Sequence, residues 1–230
     1  MKRVVAGSPA KAWGGEVRIT SARLQLDGTL GIPAHAHGLV LFAHGSGSSR
    51  HSPRNRRVAD TLQRAAVATL LFDLLTKDEE RDDERTGHLR FDIDLLASRL
   101  RVATDWARQY ERTAALRIGY FGSSTGAGAA LVAAADEDND VGAVVSRGGR
   151  PDLAGDALPS VRAPTLLIVG GDDEPVIPLN EEALAHLQCE KRLEIVPGAT
   201  HLFEEPGALD KVADLAARWF AGHLSTRGHS

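Results

Sequence analysis

One pentapeptide does most to limit what this chain can fold into: Gly122-Ser123-Ser124-Thr125-Gly126. It matches the G-x-S-x-G elbow, a sharp strand-to-helix turn that exposes a serine and has glycines where larger side chains would collide. The flanks agree with this. Arg117-Ile118-Gly119-Tyr120-Phe121 leads in as a β run, and Gly128-Ala129-Ala130-Leu131-Val132-Ala133 leads out as a helix able to pack closely. The plain alternative is a glycine-rich turn that only packs, so the remaining sequence must supply the partners a serine nucleophile requires.

Such an elbow needs a sheet covered by helices, and the pattern along the chain predicts one. Short runs apolar on both faces fall at residues 39–42, 69–72, 116–121, 141–145, 165–169 and 193–196, as expected of central parallel strands. Helical periodicity links Phe91, Leu95, Ala103, Trp106 and Tyr110, and again Leu209, Val212, Leu215, Trp219 and Phe220. Ahead of these units, an alternating stretch from Val17 with Asp27-Gly28 between Leu24-Gln25-Leu26 and Leu30-Gly31-Ile32 reads as a hairpin turning at Asp-Gly. Residues 77–90 are almost wholly charged and read as a solvated loop, with a lid beside the site as the alternative. The fold class is therefore α/β: a mostly parallel central sheet, an antiparallel N-terminal hairpin and helices on both faces.

Composition narrows the function classes. With 230 residues, one domain is expected: an N-terminal extension over residues 1–15, the α/β domain over 16–222 and a tail over 223–230. A net charge of −4 gives no basic field for nucleic acid, although arginines cluster between Arg50 and Arg57. The single cysteine, Cys189, excludes an internal disulfide and reads as an inert thiol. No apolar stretch approaches the roughly 18 residues of a membrane span, and the N-terminal apolar patch is too short for a secretory signal. A cytoplasmic protein without a membrane partner is the expectation.

A serine hydroxyl becomes nucleophilic only when a base takes its proton, so an acid and then a histidine should follow the elbow. Asp172 and Asp173 come just after a strand and Gly170-Gly171, at the sheet edge where sites of open α/β sheets assemble. Of the nine histidines, His186, His201, His223 and His229 follow them. His201, in Pro197-Gly198-Ala199-Thr200-His201 after the last strand, is placed to reach Ser124; His186 falls in a helix and the other two in the tail. Backbone amides of Ser46, in the glycine-rich Ala43-His44-Gly45-Ser46-Gly47 loop, and of Thr125 are the candidates for an oxyanion hole. His44 reads as a hydrogen-bonder beneath that loop. No Gly-Lys-Ser/Thr phosphate-loop signature is present. Arg50, Arg54 and Arg147 flank the expected pocket as candidate binders of an anionic substrate group. His35 and His37 could share one side of a strand but have no carboxylate or thiolate nearby, so neither a metal nor another cofactor is expected.

These motifs together resemble the dienelactone hydrolase family of the α/β-hydrolase superfamily, in a small bacterial branch sometimes fused to a phosphoribosyltransferase domain. The resemblance runs from about Val17 to Phe220 and rests on Leu41 to Arg50, Phe72-Asp73-Leu74-Leu75-Thr76, the elbow, Ser146 to Asp152, Val169 to Asp173 and Gly198 to His201. It implies an α/β-hydrolase fold, and, by the family's spacing from Gly170, it implies Asp173 as the acid. Dienelactone hydrolases proper carry a cysteine at the elbow, whereas this chain has Ser124. That departure moves the expected substrate from dienelactone towards carboxylic esters.

The expected function is a serine hydrolase acting on small or short-acyl carboxylic esters, with Ser124, His201 and Asp173 as the triad. With no long insertion between Val145 and Pro164, where many relatives carry a helical cap, an open pocket without a large cap is expected. The expected partner is a small-molecule ester, and the chain is expected as a monomer or homodimer. The alternatives are a non-catalytic or regulatory binding module on the same fold, or a peptidase or acyltransferase using the same triad.

Overall fold

The run at residues 39–42 is apolar throughout because both of its sides are covered: Leu39 and Leu41 enter one core, while Val40 and Phe42 enter another. It belongs to a sheet with two helical layers, described over residues 12–22 and 24–225 of a computed structural model. In chain order the elements are β1 (Trp13–Ser21), β2 (Leu24–Ile32), β3 (Gly38–Ala43), α1 (Pro53–Arg64), β4 (Ala68–Phe72), α2 (Lys77–Thr86) and α3 (Ile93–Gln109). Then follow β5 (Arg117–Ser123), α4 (Thr125–Ala134), β6 (Ala143–Arg147), β7 (Thr165–Gly170), α5 (Ile177–His186), β8 (Lys191–Val196) and α6 (Ala208–Leu224). The eight strands lie in the order β1-β2-β4-β3-β5-β6-β7-β8. β1 pairs with β2, and β2 with β4, antiparallel; the remaining pairs are parallel. This is the α/β-hydrolase architecture.

Helices α1 and α6 cover one face through Val58, Leu62, Val212 and Phe220. Helices α3, α4 and α5 cover the other through Leu96, Leu100, Ala130 and Ala183. Between β6 and β7 runs only a 3-10 segment, Pro151–Ser160, kinked at Gly155, so no helical cap rises over the sheet edge. Among the described residues no helix is long and apolar enough to cross a membrane.

Three local expectations are corrected. Asp27-Gly28 is not the hairpin turn but lies inside β2, where Val17 pairs with Gly28; the chain reverses instead after Ser21, with Ala22 at φ +47. The alternation of buried residues from Leu26 through Gly28, Leu30 and Ile32 overrides the Asp-Gly signal, because interrupting it would turn apolar side chains to the wrong face. Residues 77–90 are not a loop: they form α2 and a 3-10 turn, Leu89–Phe91. A capping box between Thr76 and Glu79, acidic residues in the first turn and pairs Arg81–Asp78 and Arg85–Asp82 supply what an apolar stripe would otherwise supply. The buried Asp83 carboxylate then pins the following turn by accepting from the amides of Leu89 (2.7 Å) and Arg90 (3.1 Å). Finally, His35 and His37 share no strand, since Pro33 follows the last residue of β2 and His35 sits in a turn at φ +57.

β1 begins at Trp13, inside the expected extension over residues 1–15, and α6 reaches Leu224, inside the expected tail over 223–230. Residues 1–11 of that extension and 226–230 of that tail lie outside the described residues.

Candidate active site

Strand β5 delivers the elbow at the carboxyl edge of the sheet. Ser124 joins β5 to α4 at φ 51, ψ −126, a region that side chains occupy only when surrounding structure enforces it. The turn is packed between the end of β3, the residue after it and the first turn of α4. A Cβ on Gly126 would collide with the Ala43 carbonyl and come within 2.6 Å of the His44 carbonyl, and one on Gly122 would lie 2.5 Å from Ala127 Cα. These are backbone atoms and cannot swing aside. We therefore expect Gly126→Ala to cost about 3 kcal/mol or more of stability, read by denaturant unfolding. A loss below about 1 kcal/mol would mean that the elbow is looser than drawn.

Two further loops meet this turn. After β7, Gly170-Gly171 brings Asp173 to a buried position, where its carbonyl accepts from the Val176 amide at 2.9 Å. After β8, the loop carries His201, whose Nδ1 lies 2.7 Å from Asp173 Oδ2. The carboxylate accepts the Nδ1 proton, which leaves Nε2 without a proton on a neutral ring. Asp172 next door is exposed, with its backbone amide bonded to the Ala199 carbonyl at 2.9 Å. Ser124 and His201 line one cavity of about 230 Å³. No hydrogen bond joins them among the described residues, a common state before substrate tightens such contacts.

The β3–α1 loop forms another wall through Gly45, Ser46 and Ser48. Its amide at Ser46 donates to the Thr125 hydroxyl at 3.1 Å, which brings the two residues expected to form an oxyanion hole together beside Ser124 but engages the Ser46 N–H with a side chain. His44 lies beneath: Nε2 accepts from the Leu74 amide at 3.1 Å, which leaves the proton on Nδ1 to donate to the Gly45 carbonyl at 3.0 Å. Burial pushes its imidazole below the ordinary histidine range, in keeping with a neutral ring wedged between backbone groups.

The three arginines separate. Arg54 and Arg147 line the Ser124 cavity. Arg50 instead faces a neighbouring hollow, where its amide donates to Asp73 at 2.8 Å and its guanidinium pairs with Asp73 and, at 3.5 Å, with Glu16. Ser52 and Leu202, not expected there from the sequence, also line the cavity. Ser52 had a readable signal, since Ser-Pro ahead of a polar-apolar repeat marks a helix start, and Ser52 is the N-cap of α1. Among the described residues no set of three or more His, Cys, Asp or Glu side chains converges as for a metal ion.

The sequence profile of the Dienelactone hydrolase family matches residues 26–224. The chain belongs to that family. A dienelactone hydrolase structure from Anabaena variabilis is 62% identical, covering 93% of this chain and 99% of its own, with a TM-score of 0.91. An α/β serine hydrolase without lid from Xanthomonas campestris, 19% identical over 96% of this chain and 99% of its own, shares the fold at a TM-score of 0.73. Two curated Mycobacterium tuberculosis proteins, from strains CDC 1551 and H37Rv, are 58% identical over 94% of this chain. Both bear a provisional phosphoribosyl transferase name, and the match spans only 48% of their length. Membership in the dienelactone hydrolase family accords with the eight-stranded, mostly parallel sheet.

Proposed function

We propose that the chain is a serine hydrolase of carboxylic esters, with Ser124 as nucleophile, His201 as general base and Asp173 as the group that orients the imidazole. The observation that carries this reading is the buried Asp173 carboxylate bonded to His201 Nδ1 at 2.7 Å, in a cavity that His201 shares with a serine held at an unfavourable backbone angle. Ser124 Oγ attacks the ester carbonyl as His201 Nε2 takes its proton. The carbonyl oxygen then bears negative charge, to be met by the backbone amide of Thr125 and by that of Ser46 once its N–H turns from the Thr125 hydroxyl to the substrate. As the tetrahedral species collapses, the C–O bond to the alcohol breaks and the imidazolium returns the proton to the departing oxygen. Water repeats the sequence on the acyl-enzyme and frees Ser124.

The volume of about 230 Å³ and the absence of a cap among the described residues favour small or short-acyl esters. The transferase name of the Mycobacterium tuberculosis relatives belongs, on this reading, to the part of those longer proteins that this chain does not span. The test is hydrolysis of p-nitrophenyl esters from acetate to decanoate, with fluorophosphonate labelling in parallel. We expect turnover that falls with acyl length and a single label on Ser124. A folded protein that neither turns over an ester nor takes the label would leave the fold as a binding module.

A further inference from the structure

Arg147 is the last residue of β6 and is the Cα partner of Ser123 on β5, which places it one strand from the nucleophile. It is only 6% exposed. A guanidinium cannot shed its charge, so burying one without a counter-charge costs stability unless something compensates. No acid does so here. Among the described residues Arg147 has no salt bridge, its Nε has no hydrogen-bond partner, and no carboxylate lines the cavity.

One aromatic face offsets this charge weakly, and Arg54 adds to it. The Phe203 ring lies 6.0 Å from its guanidinium carbon, giving a weak cation–π contact. Burial, and then the like charge of Arg54, push its pKa down to about 10. Arg54 itself has an unpartnered Nε and is tied only at Nη1, to Glu204 at 3.1 Å. It stands in the first turn of α1, a 12-residue helix with no acidic residue in that turn. The N-cap of that helix, Ser52, lines the same cavity, so the positive end of the helix also faces it.

Resting on the serine-hydrolase reading, we propose that Arg147 and Arg54 form an anion subsite of the Ser124 cavity. The substrate is then an ester that carries a carboxylate or phosphate on its non-reacting part. The anion gives Arg147 the counter-charge that the fold withholds from it, and it holds the ester carbonyl at Ser124 without entering the chemistry. Acyl transfer proceeds as above, and the charged group leaves with whichever fragment bears it.

Two measurements test this, one of which needs no turnover. The first is thermal stabilisation by inorganic phosphate and by succinate, at ionic strength held constant with chloride. Native protein is expected to gain from at least one of them, and Arg147→Met to gain from neither. The anion that stabilises more identifies the carboxylate or phosphate source. Since methionine removes an uncompensated buried charge, the variant should melt no lower than the native chain without ligand. A lower melting point would make Arg147 structural, and equal stabilisation of both proteins, or of neither, would overturn the subsite.

The second measurement compares kcat/KM for monomethyl succinate with dimethyl succinate, and for 2-acetoxyethyl phosphate with ethylene glycol diacetate. In the native chain at least one charged ester is expected to lead its neutral counterpart by about tenfold or more, with that ratio collapsing in Arg147→Met. Neutral esters turned over as well as both charged ones would sink the subsite and leave the serine hydrolase standing. Anion binding through Arg147 without turnover of any ester would do the reverse.

Discussion

If the proposed serine-hydrolase mechanism holds, Ser124→Ala is expected to lose ester turnover by about 10⁴- to 10⁶-fold in kcat while remaining folded, because nothing else at the elbow can form the acyl-enzyme. The expectation of normal folding has a structural reason. Alanine keeps the Cβ and therefore the unfavourable φ of 51 that Ser124 already has, and the contacts enforcing that angle come from the backbone around Gly122 and Gly126. The loss is then chemical rather than conformational. Ser124→Gly separates the two effects further: it should be equally inactive yet more stable, by about 1 kcal/mol, since glycine relieves the strain. Stopped assays with p-nitrophenyl acetate, beside thermal melts of all three proteins, read both quantities. A Ser124→Ala variant with a rate within tenfold of native would remove Ser124 from the mechanism altogether.

The sequence carries the sheet more legibly than the surface around it. Strands β3, β4, β5 and β7 are buried on both sides, so they appear as unbroken apolar runs that no solvated element would show. Helix α2 was hidden for the opposite reason. It has no apolar stripe, and its order comes from a capping box, charge pairs within the helix and the Arg99–Glu79 contact (2.5 Å) to α3. None of these registers as hydrophobic periodicity. The hairpin turn was misplaced because Asp27-Gly28 is a strong turn dipeptide in isolation, while the strand pairing that overrides it is long-range.

For the site, chain order was enough to single out Ser124, an aspartate after β7 and His201. Separation of Asp172 from Asp173 needed either the family spacing or the structure, in which one carboxylate is exposed and the other buried against the imidazole. The arginines were the least legible part. Arg50 finds its acid 23 residues away at Asp73, and Arg147 becomes a neighbour of Ser123 only through the pairing of β5 with β6. Which arginine is neutralised and which is left bare is thus a property of the assembled sheet, unreadable from residue types alone.

That same pair of aspartates supports a second large effect. Asp173→Asn should lower kcat by about 10³- to 10⁴-fold, with KM changed much less. The carboxylate accepts the Nδ1 proton of His201 at 2.7 Å, which keeps Nε2 free to act as base towards Ser124. An asparagine there can turn its amide nitrogen towards Nδ1, donate instead of accept, and so favour the tautomer with the proton on Nε2. A ring in that form cannot take the serine proton. The carboxylate's support for the imidazolium of the transition state goes with it. Asp172→Asn is the matched control, since that exposed side chain differs from Asp173 by one position and by its burial; it should stay within about twofold of native. Comparable losses in both variants would point to a disturbed β7 loop, and a larger loss at Asp172 would transfer the orienting role to it and break the proposed triad.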